Sequence, residues 1–272
     1  MNILVASSRG VGMKERVGKG VPGAALSSSH VIPGGTLEQI TNKAIEVIPH
    51  TIHTSAPPHI YIIAGIPDVT HKLKDRQGWR FYTESVFTGD PCNTIQGIKT
   101  GIDTCAAAII RRGAKPIFCT ISPINLEKYN NNLLHTGKTW TLKHTHEYPT
   151  MQKHIDHIIA QVNTHIRLTN RQTGVSTPFT HTAVLKRHGK GRKGYYKPDW
   201  GALYDGIHGT DDTKDKWALS LTTCIQINRG IRAKKRKQSS SDEETRSPKR
   251  AWKQERGGAY STRRAQTHTN TK

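Results

Sequence analysis

Apolar residues in this chain follow two patterns: short unbroken runs, and longer stretches where they recur every three or four positions. Ile3-Leu4-Val5-Ala6, the run from His59 to Gly65, and Ala114 to Ile121 are of the first kind. Runs this short, bounded by glycine, serine or proline, predict strands buried on both faces, as in a parallel sheet. Leu37, Ile40, Ala44, Val47 and Ile48 are of the second kind, as are Ile155, Ile158, Ile159, Val162 and Ile166 and then Trp217, Ala218 and Leu221. That spacing gathers them on one face of a helix. A further helix closes at Ile109-Ile110. Strands alternating with helices predict an α/β fold whose parallel sheet is covered on both sides. Phe179 to Leu185 is expected as a last strand. Residues 11 to 23 read as a solvated glycine-rich loop, since neither GxxxxGK[ST] nor GxGxxG fits there.

Composition adds a second, different region. The chain has 272 residues, is 34% hydrophobic and carries a net charge of +21; its mean hydropathy is −0.62. That is enough for one core, and the charge favours polyanions, nucleic acid first. After Asn228 aliphatic residues become rare, and residues 229–272 hold 14 Lys and Arg against 4 Asp and Glu, a net +10. Such a segment buries too little apolar surface to offset its ordering entropy. The expected organisation is a globular domain over 1–228 and a disordered basic tail over 229–272. Within the tail, Lys234, Lys235, Arg236 and Lys237, then Lys249 and Arg250, resemble a bipartite nuclear import signal. The acidic serine cluster from Ser239 to Glu244 between them is a candidate for phosphorylation. Upstream, Lys186, Arg187, Lys190, Arg192 and Lys193 alternate with glycines before Tyr195-Tyr196, either a solvated loop or one that contacts phosphates. Nucleic acid and a nuclear import receptor are the expected partners. No export signal or membrane span is legible, so an intracellular, nuclear setting is expected. Cys92, Cys105, Cys119 and Cys224 lack CxxC spacing and read as buried thiols.

The candidate chemistry centres on Asp205-Gly206-Ile207-His208. A carboxylate three residues before a histidine can take the imidazole Nδ1–H, fixing the tautomer and freeing Nε2 as a base. A nucleophile must then come from elsewhere. Ser8 follows the first strand, at the carboxyl end where open α/β sheets bind ligands; on position alone, the plainer account is that Ser7 or Ser8 caps the following helix. Gly34 and Gly35 precede a helix and could offer a backbone N–H to an anion, or serve only as turn residues. His144 with His146, and His154 with His157, lack supporting ligands at a recognised spacing, so no metal or cofactor is expected.

In order along the chain, these segments resemble the SGNH/GDSL hydrolase superfamily. Residues 3–10 stand at its serine block, Pro33-Gly34-Gly35-Thr36 at the second, Ala64-Gly65-Ile66-Pro67-Asp68 at the third, and Asp205 to His208 at the closing DxxH. Val162-Asn163 through Asn170, Gly174 and Pro178 look like the connecting region of divergent members from viruses and mobile elements. The resemblance implies a three-layer, flavodoxin-like α/β sandwich that hydrolyses carboxylic esters. Ser8 would be the nucleophile, His208 its base and Asp205 the residue orienting the imidazole. The oxyanion would be held by the N–H of Ser8 and that of Gly34 or Gly35. Two positions depart from the pattern: Ser7 replaces the aspartate before the serine, and Pro67 replaces the asparagine that donates to the oxyanion. A proline donates nothing. The resemblance therefore also implies an alternative, a catalytically silent module that binds RNA or DNA.

Overall fold

The first run, Asn2–Ala6 (β1), is buried at all five positions and takes an inner place in a four-stranded sheet. The computed structural model describes residues 1–49, 56–77, 80–189 and 194–231. Its sheet is wholly parallel, with Ser28–Val31 (β2) and His59–Ile63 (β3) on either side of β1, and Lys115–Phe118 (β6) outside β3. This is the expected sandwich. Ile3, Val5, Ile60, Ile62 and Phe118 pack against Leu37–Val47 (α1), Pro91–Arg111 (α3) and Tyr148–Gln172 (α5). The short helix Ile66–Val69 (α2) follows β3 directly. Leu4, Ala6, Tyr61, Ile63 and Ile117 face Trp217, Leu221 and Ile225 of Asp211–Asn228 (α6). Strand periodicity puts alternate side chains on opposite faces, so each run feeds both cores.

Beyond β6 no further strand pairs among the described residues; the edge is closed by side chains of α5. Asn163 accepts from the Ile121 N–H at 2.6 Å and donates to its carbonyl at 2.9 Å; Asn170 does the same for Phe118 at 3.0 and 2.8 Å. Each amide offers one donor and one acceptor, as a neighbouring strand would. Asn130 of Leu126–His135 (α4) pairs likewise with the Ser85 N–H and carbonyl, at 2.8 and 2.7 Å.

Several expectations need correction. Phe179 to Leu185 is not a strand. After the Thr120 N–H donates to the Pro178 carbonyl at 3.1 Å, the chain turns into a 3-10 helix, Thr180–Val184. Its first carbonyl, that of Thr180, is already taken by Ser122 Oγ and Trp217 Nε1, at 3.0 and 2.9 Å, which leaves it unavailable to a ladder. The segment from Lys186 is not a simple loop: Leu185–His188 (β7) pairs antiparallel with Tyr195–Pro198 (β8). Residues 11–23 lack regular structure but are not wholly solvated, because Met13 and Val17 are buried beneath α6. Cys92, on the first turn of α3, is exposed, whereas the other three thiols are buried. No helix among the described residues is long and apolar enough to cross a membrane.

Another unpredicted element is the antiparallel hairpin His71–Gln77 (β4) and Arg80–Val86 (β5). Its anchor is Glu84, 0% exposed. Each carboxylate oxygen accepts from one tyrosine hydroxyl, of Tyr82 or Tyr148, and from one backbone N–H, of Lys143 at 3.1 Å or His144 at 3.2 Å. Burial raises the Glu84 pKa, but the bonds from Tyr148, Tyr82 and the two amides outweigh it, and the net shift is downward. A lowered carboxylate pKa stabilises the fold above the unfolded-state value and loses that contribution as pH falls through the folded one. Glu84→Gln turns one oxygen into an NH₂ facing an amide donor. It is expected to cost about 3 kcal/mol in urea unfolding at pH 7, and the loss should narrow as the wild type is acidified. An unchanged urea midpoint would show that the carboxylate does not anchor the hairpin.

Candidate active site

Ser8 opens a single 3-10 turn, Ser8–Gly10, at the carboxyl end of β1. Gly10 permits this turn to close on the strand, since a Cβ there would lie 2.3 Å from that of Ala6. The other half of the site lies in the loop before α6. Gly206 has φ +93°, and a Cβ on it would lie 2.5 Å from the Asn125 carbonyl oxygen and 2.7 Å from the Tyr129 N. The loop is thus pressed onto the N-terminus of α4, where the Asn125 N–H donates to the Gly206 carbonyl at 2.8 Å.

Those constraints bring together residues 200 positions apart. Ser8 Oγ lies 2.9 Å from His208 Nε2, and His208 Nδ1 lies 2.6 Å from Asp205 Oδ2. The second carboxylate oxygen accepts from the Ile207 and His208 backbone N–H groups at 2.9 and 2.7 Å. Burial pushes the Asp205 pKa upward, but these hydrogen bonds, led by that from the His208 ring, leave it below the ordinary value. Asp205 is therefore an anion at neutral pH, and a neutral His208 that donates its Nδ1–H to Asp205 presents Nε2 as the acceptor toward Ser8 Oγ. Tyr204 stacks on the imidazole, with ring centroids 5.7 Å apart.

Arg9 was not legible as a site residue. It is 5% exposed and donates to the carbonyls of Ile207, Ser122 and Pro123 at 3.0, 2.9 and 3.1 Å, with its guanidinium 5.7 Å from the Trp217 ring. Burial lowers its pKa to about 9, with Asp205 acting in the opposite sense, so it stays charged at neutral pH. One side chain next to Ser8 thereby fixes the carbonyl next to His208. An arginine following a serine carries no sequence signal for this.

Ser8 and His208 open onto a cleft of about 530 Å³, within the range of small-molecule sites. Gly34, Thr36, Pro67, Lys72 and Tyr129 are among its lining residues. Of the two candidate glycines, Gly34 lines the cleft, while the Gly35 N–H is committed to the Ile32 carbonyl at 2.9 Å. The third block reaches the second through Asp68, whose carboxylate accepts from the Leu37 N–H at the start of α1, both oxygens at 3.0 Å. Pro67 stands beside it with neither a side-chain donor nor an N–H.

In comparison with solved structures, the chain matches a GDSL-like lipase from Bacteroides thetaiotaomicron with a TM-score of 0.50 at 13% identity, over 83% of this chain and 87% of that one. The chain has the SGNH/GDSL hydrolase fold. A lipase/acylhydrolase from Enterococcus faecalis matches this fold at 12% identity and TM-score 0.46, covering 83% of this chain and 94% of its own. The OSK domain of Drosophila Oskar matches at 10% identity and TM-score 0.44, covering 82% and 87%. No family model and no curated protein matches the sequence. Residues from all four of the sequence blocks, among them Ser8, Gly34, Pro67 and His208, line this one cleft.

Neither Lys186 nor Arg187 is among this cleft's lining residues. Lys186 and Arg187 are exposed on β7. Lys190, Arg192, Lys193, Lys234, Lys235, Arg236, Lys237, Lys249 and Arg250 lie outside the described residues. Among the described residues no group of three His, Cys, Asp or Glu side chains gathers to hold a metal. Gly206→Ala is expected to reduce kcat for an ester substrate by about 10²-fold, since a displacement of about 1 Å at His208 suffices for that. Ester kinetics on protein with an unchanged circular dichroism spectrum would check it. Wild-type turnover would show that the loop tolerates the side chain without moving His208.

Proposed function

We propose that the chain is a carboxylic ester hydrolase acting through an acyl-enzyme, with Ser8, His208 and Asp205 as its triad. The observation that carries this reading is the unbroken hydrogen-bonded line from Ser8 Oγ through His208 to Asp205. Ser8 Oγ attacks the ester carbonyl carbon while His208 Nε2 takes its proton. The resulting oxyanion is held by the N–H groups of Ser8 and Gly34. The intermediate collapses as the bond to the alcohol oxygen breaks, and His208 returns the proton to that leaving group. Water then repeats the sequence on the acyl-Ser8, releasing the carboxylic acid and the free enzyme. Asp205 keeps its negative charge throughout and stabilises the imidazolium.

The experiment is turnover of 4-nitrophenyl acetate and butyrate by the wild type beside Ser8→Ala. Hydrolysis well above background in the wild type alone supports the reading, and equal background rates in both proteins overturn it. One observation favours a second reading, a silent module that binds nucleic acid: Pro67 removes the side-chain donor from the oxyanion site. Under that reading the same assay gives background rates while polyanion binding persists. The basic tail over 229–272 contributes that binding under either reading.

A further inference from the structure

The β7–β8 hairpin presents chemistry that the cleft does not use. Cross-strand pairing puts Lys186 opposite Lys197 and His188 opposite Tyr195, all four exposed. Because side chains alternate across a ribbon, these four share one face. The contacts agree: the His188 and Tyr195 rings are stacked, 5.8 Å apart and 20° from parallel, and Lys197 Nζ sits 5.3 Å from the Tyr195 ring centroid. The opposite face carries Arg187 and Tyr196, together with the partly buried Leu185 and Pro198.

One feature of the first face works against the hairpin's own stability. Like charges directly across a ladder repel, so Lys186 opposite Lys197 destabilises the pairing. Tyr195 also leaves 52% of its surface in water. From Leu185 to Pro198 the sequence holds no Asp or Glu to neutralise the lysines. A polyanion would relieve the repulsion, and a flat exposed ring beside two ammonium groups suits an unpaired base joined to phosphates. A duplex would supply the phosphates, but its bases are already stacked.

We propose that this face of the β7–β8 hairpin is a binding surface for single-stranded nucleic acid, with Tyr195 stacking a base and Lys186 and Lys197 contacting flanking phosphates. It is separate from the ester site and does not depend on turnover there. The test uses the full chain and a single-stranded oligouridylate carrying one 5-iodouracil, which crosslinks under ultraviolet light to an aromatic ring stacked on it. Mass spectrometry is expected to map a crosslink to Tyr195 or His188. Tyr195→Ala should weaken binding about 10-fold, Tyr195→Phe should restore it, and Tyr196→Ala, on the opposite face, should leave it near wild type. Lys186→Ala with Lys197→Ala should flatten the dependence of log K on log salt by about 1.4, two single-strand phosphate contacts. Crosslinks confined to residues 229–272 with an unchanged salt slope would overturn the proposal. So would equal affinity for the matching duplex combined with no effect of Tyr195→Ala.

Discussion

Ser8→Ala, His208→Ala and the double variant are expected to fall to one common floor of esterase activity, at least about 10³-fold below the wild type in kcat/KM. The reason is that under the proposed function the two side chains perform one act. Without His208 nothing adjacent takes the Ser8 proton, and without Ser8 the imidazole has no nucleophile to activate. Removing the second partner therefore removes nothing more. Asp205→Asn should cost less than either, because the backbone N–H groups of Ile207 and His208 already hold the loop to the Oδ1 position, 2.9 and 2.7 Å away. What it loses is the anion that fixes the tautomer and stabilises the imidazolium. Kinetics of all four variants with one activated ester checks this pattern. Effects of Ser8→Ala and His208→Ala that multiply in the double variant would mean that the residues act separately, and the triad assignment would fail.

The parts of this fold legible in the sequence are those whose burial is periodic. β1 and β3 are buried at every position, and the apolar faces of α1, α5 and α6 meet them as the spacing required. Asp205 and His208 could be found because their relation is local, three residues across a turn. Ser8 needed both the strand before it and the order of the blocks. What stayed hidden is stabilised by polar contacts between distant segments. β2 is a half-buried Ser-Ser-His-Val, with no hydrophobic pattern to mark it. The β4–β5 hairpin depends on Glu84, a residue that composition assigns to the surface and that only its four donors make tolerable in the interior. Arg9 is a parallel case, a buried cation whose three carbonyl partners come from two remote loops. Asn163 and Asn170 did leave a trace, as two asparagines seven residues apart on a mainly apolar helix face. In this chain those two amides pair with the Ile121 and Phe118 backbones at the sheet edge.

Pro67→Asn is expected to raise kcat for an activated ester by about 10²-fold with little change in KM, the inverse of removing an oxyanion donor. Pro67 lines the cleft with Ser8 and Gly34, so a side chain at this position faces the same space as the two backbone N–H groups that would hold the oxyanion. Proline's fixed φ suits the first turn of α2, and no backbone hydrogen bond is lost by restoring the N–H. The cost to folding should stay near 1 kcal/mol, mainly from greater freedom of the unfolded chain. The gain belongs in kcat because the new bond strengthens as charge develops on the oxygen, whereas the ground-state ester carbonyl draws on it weakly. Steady-state kinetics beside the wild type separates the two parameters. A Pro67→Asn protein no faster than wild type, but still inactivated by Ser8→Ala, would mean that the backbone N–H groups already hold the oxyanion. One that remains at background, like its Ser8→Ala counterpart, would favour the silent nucleic-acid-binding module, because restoring the missing donor would then have restored no chemistry.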